Sequence, residues 1–184
     1  FYHLAYTGRA GSLREEDLSH EETRMVVDQI CQHTIDLYRR GLQKEILTVD
    51  NHADAVYVYL KLKEQDSRRA EEVWGLLEGN GGNSSGIRIG AVDDVGDVHP
   101  DQFWWHYSLG NVRQRKFGDI WSDESDMLLR GLKNRKSLLK GRCARCQFVN
   151  LCNGNLRVRA EAVYGDVWAE DPACYLTDEE IGIV

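Results

Sequence analysis

Four cysteines stand at positions 143, 146, 152 and 174, in the pattern C-x2-C-x5-C-x21-C. A C-x-x-C pair aims two sulfurs at one ion or cluster from a single tight turn. Cys152 follows after a short loop, and Cys174 returns from a separate segment just after Pro172. Four thiolates make a complete donor set for iron–sulfur or for zinc. Structural zinc sites often use two C-x-x-C-like knuckles. Here there is one, and the other two cysteines are split by 21 residues, which tilts the reading toward iron–sulfur. Four protein ligands leave no iron open, so such a centre moves electrons and does not bind substrate. Without Cys174 as a ligand, one iron would be open and that role would reverse. The fifth cysteine, Cys31, lies one helical turn from Val27 on an apolar face and reads as core.

Charge supports a metal reading. The chain has 184 residues and a net charge of −7, against general nucleic-acid binding. Arg130 to Arg159 nevertheless holds nine basic residues and no acidic one, and three of the cysteines lie in it. Positive charge favours thiolate over thiol and offsets an anionic metal–thiolate centre; the same charge draws acidic substrates. Five cysteines are too few for a disulfide scaffold and leave one unpaired. No run approaches the roughly 18 apolar residues of a membrane span. The expectation is a cytoplasmic protein without membrane or nucleic-acid partners. Because the chain opens on Phe1 in what reads as a strand, it is also expected to be part of a longer protein.

The elements that must position these residues fall into two styles. Residues 1–7 read as a strand and 8–17 as a loop. Ser19, with Glu22, opens a helix that runs to about Arg40, where Gly41 stops it. Residues 44–49 read as a second strand, 53–63 as a helix and 68–78 as another. Strand, helix, strand, helix is the rhythm of a parallel α/β unit. The Gly/Asn/Ser-rich stretch 79–86 reads as a linker. Beyond it, 87–92 and 97–99 read as a β-hairpin, Asp123 as the cap of a helix over 124–134, and 155–163 as a short helix.

These residues carry a resemblance. The hairpin, Gly110-Asn111-Val112, Phe117…Ile120-Trp121 and the Cys143/Cys146/Cys152 group are similar to a SPASM domain, the auxiliary-cluster domain of many radical S-adenosylmethionine enzymes. The stretches KEILTVDNHADAVYVYL, HPDQFWWHYSLGNV, CNGNLRVRAEAVYGD and DPACYLTDEEIG narrow it to the NirJ-like enzymes of heme d1 biosynthesis. The resemblance implies an α/β plus α+β chain. Residues 1–78 would be the C-terminal strands and helices of a partial (β/α)6 barrel, 79–86 a linker, and 87–184 a SPASM-like auxiliary iron–sulfur domain. A full SPASM domain carries seven cysteines and two clusters. Here the hairpin has no cysteine and Asn155 stands where a fourth closely spaced one would fall, so one cluster fits. The C-x3-C-x2-C motif of the radical-generating cluster is absent, so this chain alone is expected to be inactive.

For the complete enzyme the resemblance implies S-adenosylmethionine, a second [4Fe-4S] cluster and an electron donor such as a flavodoxin or ferredoxin. The implied substrate is a siroheme-derived tetrapyrrole that loses propionate side chains, with the auxiliary [4Fe-4S] cluster taking up an electron. Carboxylate-bearing macrocycles suit Arg pairing and Trp stacking. Arg142, Arg145, Arg157, Arg159, Trp104 and Trp105 are available for this, with plain core the competing role for both tryptophans. Asp50, Asn51 and His52 follow a barrel-type strand, where such folds place chemistry. His52 and Asp50 are the catalytic candidates and Asn51 a substrate contact, with helix capping the competing role. Tyr6, Gly8 and Arg9 are candidate contacts to S-adenosylmethionine. Two alternatives stand beside this reading: another enzyme of the superfamily (a peptide maturase or a heme-pathway relative), or a non-catalytic four-cysteine zinc module.

Overall fold

Helix α1 (His20–Arg39) starts where its sequence predicts, in a computed structural model that describes residues 1–183. The Ser19 hydroxyl accepts the Glu22 amide at 3.2 Å, and the Glu22 carboxylate accepts the Ser19 amide at 2.8 Å. That reciprocal box satisfies two of the orphan N–H groups at the helix start. Only Thr23 and Val27 of α1 are buried. The helix is held mainly to the chain's end: Arg24 pairs with Glu180 at 2.7 Å, and His20 Nε2 meets the Pro172 carbonyl at 2.8 Å.

Helices α2 (Ala53–Gln65) and α3 (Ser67–Asn80) form an antiparallel pair around a single residue. Asp66 donates its amide to Leu62 O at 2.7 Å, ending α2, and its carboxylate accepts the Arg69 amide at 3.1 Å, starting α3. Both helices pack on α7 (Val149–Cys152). The main core therefore joins distant segments. Val27 from α1, Val56 and Tyr57 from α2, Phe148 and Leu151 around α7, and Tyr175, Leu176 and Ile181 from the tail share one cluster.

The expected strands 1–7 and 44–49 shrink to one parallel bridge, Tyr2 with Val49. His3 donates to Val49 O at 3.2 Å, and Val49 donates to Phe1 O at 3.0 Å. Tyr2 and Leu47 are exposed and no further strand pairs with either segment among the described residues, so nothing extends the ladder. The expected loop 8–17 instead carries a 3-10 helix, Gly8–Glu16.

The Gly-rich stretch 79–86 is not a loose linker. Its first two residues finish α3, Gly82 and Asn83 lie against the cysteine loop, and Ser85 is buried with its hydroxyl on Asp101. The Asn83 amide donates to Cys152 O at 3.1 Å. Gly82 has a φ of +69°, and a Cβ there would run into the backbone of Leu151 and Cys152. Left-handed strain and overpacking each cost about 1–3 kcal/mol, so Gly82→Ala is expected to destabilise by about 3 kcal/mol or more in urea titration.

Beyond it, β1 (Ala91–Val92), β2 (Asp97–His99) and β3 (Gly110–Asn111) form an antiparallel sheet in that order. The Asp93 carboxylate accepts the amides of Val95 (3.1 Å) and Asp97 (2.7 Å), which fixes the expected hairpin. β3 is two residues long, too short to show a period. Val98, Leu109, Ile120 and Leu129 form a second small core. Ile120 comes from α4 (Phe117–Trp121), which the sequence reading missed. Leu129 comes from α5 (Met127–Lys133), whose cap is Asp126, accepting the Leu129 amide at 2.7 Å. Asp123, the expected cap, instead accepts Ser125 Oγ at 2.6 Å and pairs with Arg115 at 2.8 Å. The cysteine region follows as α6 (Gly141–Arg145), α7 and α8 (Arg157–Tyr164). No helix among the described residues is long and apolar enough to cross a membrane.

Candidate metal centre

Cys143, Cys146, Cys152 and Cys174 all line one cavity, with Phe148, Asn155 and Asp171 also on its wall. Its free volume of about 30 Å³ exceeds the roughly 10–15 Å³ that one water requires. Cys143 sits in α6, Cys146 just after it and Cys152 at the end of α7. Cys174 arrives from the tail, steered by Arg142, which binds Asp178 at 2.6 Å, Cys174 O at 3.3 Å and Leu176 O.

Cys146 accepts the Phe148 backbone N–H at 3.3 Å, and the backbone at Asp171, Gly154 and Leu176 acts to lower the thiol pKa of Cys143, Cys152 and Cys174 respectively. Amides aimed at sulfur favour thiolate and tune a cluster held by it. Burial opposes them, and pushes the Cys152 and Cys174 thiols up to about 12, with neighbouring cysteines contributing. A metal must therefore displace protons to bind. No three His, Cys, Asp or Glu among the described residues converge closely enough for a single ion. Four thiols on one cavity wall are a donor set that both zinc and iron–sulfur clusters use. Cys31 is half-buried and packs against the main core.

The other candidate residues divide. Trp104 is fully buried, as plain core, whereas Trp105 is 56% exposed. Arg157 and Arg159 are corrected: neither is a surface contact for substrate, because both are fully buried. Arg157 binds the carbonyls of Gly154, Val167 and Ala169. Arg159 clasps Asp171 through two bonds of 2.8 Å and donates to Leu4 O at 2.9 Å. Arg145 is exposed at the end of α6.

Asn51 is likewise corrected. It is buried and spent inside the protein, donating to Ala173 O at 2.9 Å and accepting Asn155 Nδ2 at 2.6 Å and the Ala53 amide at 3.1 Å. Asn155 Oδ1 in turn accepts the His52 amide at 3.0 Å and lies 3.3 Å from His52 Nδ1. The residue in place of an extra cysteine thus ties the cavity wall to the strand end. Sequence reasoning gave Asn155 no role, although its place after Cys152-Asn153-Gly154 marked a tight turn, and its φ is +58°.

Asp50 and Tyr6 both follow the bridged pair, and both have positive φ, +69° and +60°. For Tyr that is a steric outlier of the kind that gathers at functional sites. Tyr6 OH donates to Asp17 at 2.8 Å, and burial with that contact pushes the phenol up to about 12. Burial raises the Asp50 carboxyl, with Arg159 and His3 opposing. Gly8 opens the 3-10 helix, and Arg9 is exposed on it.

Burial lowers the His52 pKa, with Asn155 opposing. The fold thus favours the neutral ring, and the unfolded chain binds the extra proton first. Stability is expected to fall as pH drops below about 6.5 toward the lowered value, and His52→Gln should flatten that slope in denaturation series at successive pH values.

A small mixed fold with a four-thiol cavity defines a candidate metal-binding protein. The chain is homologous to heme-synthesis enzymes of the NirJ-like kind. It is 60% identical over 185 aligned positions to the Fe-coproporphyrin III synthase of Methanosarcina barkeri, covering 99% of this chain and 46% of that protein. It is 41% identical to the pre-heme d1 synthase of Dinoroseobacter shibae, covering 98% of this chain and 45% of that protein. An AdoMet-dependent heme synthase of Methanosarcina barkeri is 36% identical over 83 residues, 45% of this chain and 22% of its own length. The chain spans about half the length of the first two relatives. No protein-family profile and no solved structure matches it.

Proposed function

We propose that this chain is the auxiliary-cluster portion, with adjoining barrel elements, of a radical S-adenosylmethionine enzyme that tailors a siroheme-derived tetrapyrrole in heme synthesis. The observation that carries this is the shared cavity of Cys143, Cys146, Cys152 and Cys174 in a chain homologous to heme synthases. The four thiolates would hold one [4Fe-4S] cluster, which supplies an electron acceptor when side chains are lost from the macrocycle. S-adenosylmethionine, the radical-generating cluster and a flavodoxin or ferredoxin donor serve the complete enzyme. In fold terms, residues 1–78 supply the end of a (β/α)6 barrel and 87–184 the SPASM-like part. The parallel bridge Tyr2–Val49 supports the first, and the hairpin with its cysteine loop supports the second.

This chain's residues have narrower tasks. Asn51 and Asn155 hold His52 beside the cavity wall, where it is the proton-handling candidate. Exposed Trp105 and Arg145 remain for stacking on the macrocycle and pairing with its carboxylates. The 60% against 41% identity favours an Fe-coproporphyrin III-type product over a pre-heme d1-type product.

Anaerobic purification tests the centre. Brown protein with iron and sulfide in a near four-to-one ratio to chain supports it; colourless protein with one zinc per chain replaces it with the zinc module. Titrating tetrapyrrole into the complete enzyme should quench tryptophan fluorescence, and modification of a peptide instead would point to a maturase. Mass spectrometry of the product separates the two tetrapyrrole outcomes.

A further inference from the structure

We propose that Arg157, with Arg135 nearby, is a built-in counter-charge for the four-thiolate centre and makes that centre easier to reduce. The inference rests on the metal reading above and goes beyond it in assigning what sets the centre's potential.

Three arginines are fully buried: Arg135, Arg157 and Arg159. Arg159 has its carboxylate, Asp171. The other two have none within hydrogen-bond reach. Arg157 reaches only carbonyls, of Gly154, Val167 and Ala169, and its Nε has no partner. Arg135 donates to Leu132 O at 2.9 Å, to Asn83 Oδ1 at 2.6 Å and to Ser85 O. The carboxylate that acts on it, Asp101, is engaged by Ser85, whose hydroxyl it accepts at 2.5 Å.

Buried cations need an anion or a strong reason to exist. These two repel one another: burial, then Arg157, brings Arg135 down to about 10. Both lie in the field of the cysteines, Arg157 acting on Cys143 and Arg135 on Cys152. The connections are short. Gly154, two residues after Cys152, gives its carbonyl to Arg157. Asn83, whose amide binds Cys152 O, gives its side-chain oxygen to Arg135. With neutral thiols the carboxylates these guanidiniums act on are Asp101 for Arg135 and, for Arg157, Asp171 and Asp166, already engaged by Arg159 and Lys140. Four thiolates around a cluster supply the missing negative charge. Fixed positive charge near a cluster favours the more negative, reduced state.

The test uses protein loaded with iron and sulfide and a reductive titration followed by electron paramagnetic resonance. In Arg157→Met the ratio of reduced to oxidised centre at a set potential should fall about tenfold, equal to about 59 mV for one electron. Arg157→Lys should keep the native midpoint. A second readout is stability with and without metal. Arg157→Met should leave the metal-free protein as stable as native or more so, while weakening the loaded protein. A merely structural arginine would weaken both alike. An unchanged midpoint in loaded Arg157→Met, or equal loss in both forms, overturns the inference. Should that variant fail to fold, Arg135→Gln must lower the midpoint in the same sense, and an unchanged value there overturns it too. Native protein that takes up no iron defeats the metal reading itself, and is seen before any arginine is changed.

Discussion

Cys152→Ala is expected to yield protein with at least tenfold less iron and sulfide per chain than native, measured after identical anaerobic loading. Cys152 is fixed by the fold on two sides: it ends α7, and its carbonyl carries the Asn83 amide. Loss of that ligand leaves a buried apolar wall where a bond should form. Metal binding to a site absent from the unfolded chain is itself folding free energy, so the defect should also appear as a lower unfolding midpoint under loading conditions. Cys31→Ala supplies the control. Cys31 packs against the main core away from the cavity wall, so its loss should cost stability modestly and leave iron content unchanged. Full iron in Cys152→Ala, or a parallel loss in Cys31→Ala, would remove the case for a specific centre.

The second large effect is expected at Asp171. Its carboxylate is wholly buried and accepts four hydrogen bonds: two of 2.8 Å from Arg159, one from the Leu156 amide at 3.1 Å and one from the Ala173 amide at 2.9 Å. Burial works against its charge, but Arg159 prevails and its pKa is lowered. Asp171→Asn would leave Arg159 buried without a counter-ion, a change that typically costs about 3–5 kcal/mol. Urea denaturation should show a loss of that size. Asp171→Asn with Arg159→Met should recover part of it, because the stranded charge is then removed with its partner. A single variant as stable as native would show that the pair contributes nothing. The pair also joins α8, the segment before Cys174 and the carbonyl of Leu4, so looser attachment of residues 172–174 should accompany the loss. Hydrogen exchange in that segment would report it.

Helices were readable where a local rule set them. Ser19 with Glu22 fixed the start of α1, and apolar spacing gave α2 and α3 to within a few residues. Short elements were not. α4, α6, α7 and β3 have five residues or fewer, less than two turns or one strand period, so no pattern accumulates. The stretch 79–86 misled because Gly, Asn and Ser suit a loose loop and equally a tight one. Its role depends on the Cys152 backbone about 70 positions away in sequence. Arg157 and Arg159 misled for a related reason: arginine is rarely buried, and what satisfies it lies on other segments.

The sequence by itself determined the donor chemistry. Four thiols at that spacing, three of them in a stretch with positive charge and no acid, point to a metal-type donor set because sulfur and charge are properties of the residues themselves. It also determined the kinship to heme synthases, through whole stretches of side chains. The tertiary structure alone decided which charges stand free and which are spent. It put Arg159 on Asp171, left Arg157 facing carbonyls, and brought Cys174 to the wall that Cys143 begins. Those outcomes depend on contacts between segments far apart in the chain, and burial, which gives each charge its energy, exists only once those segments have met.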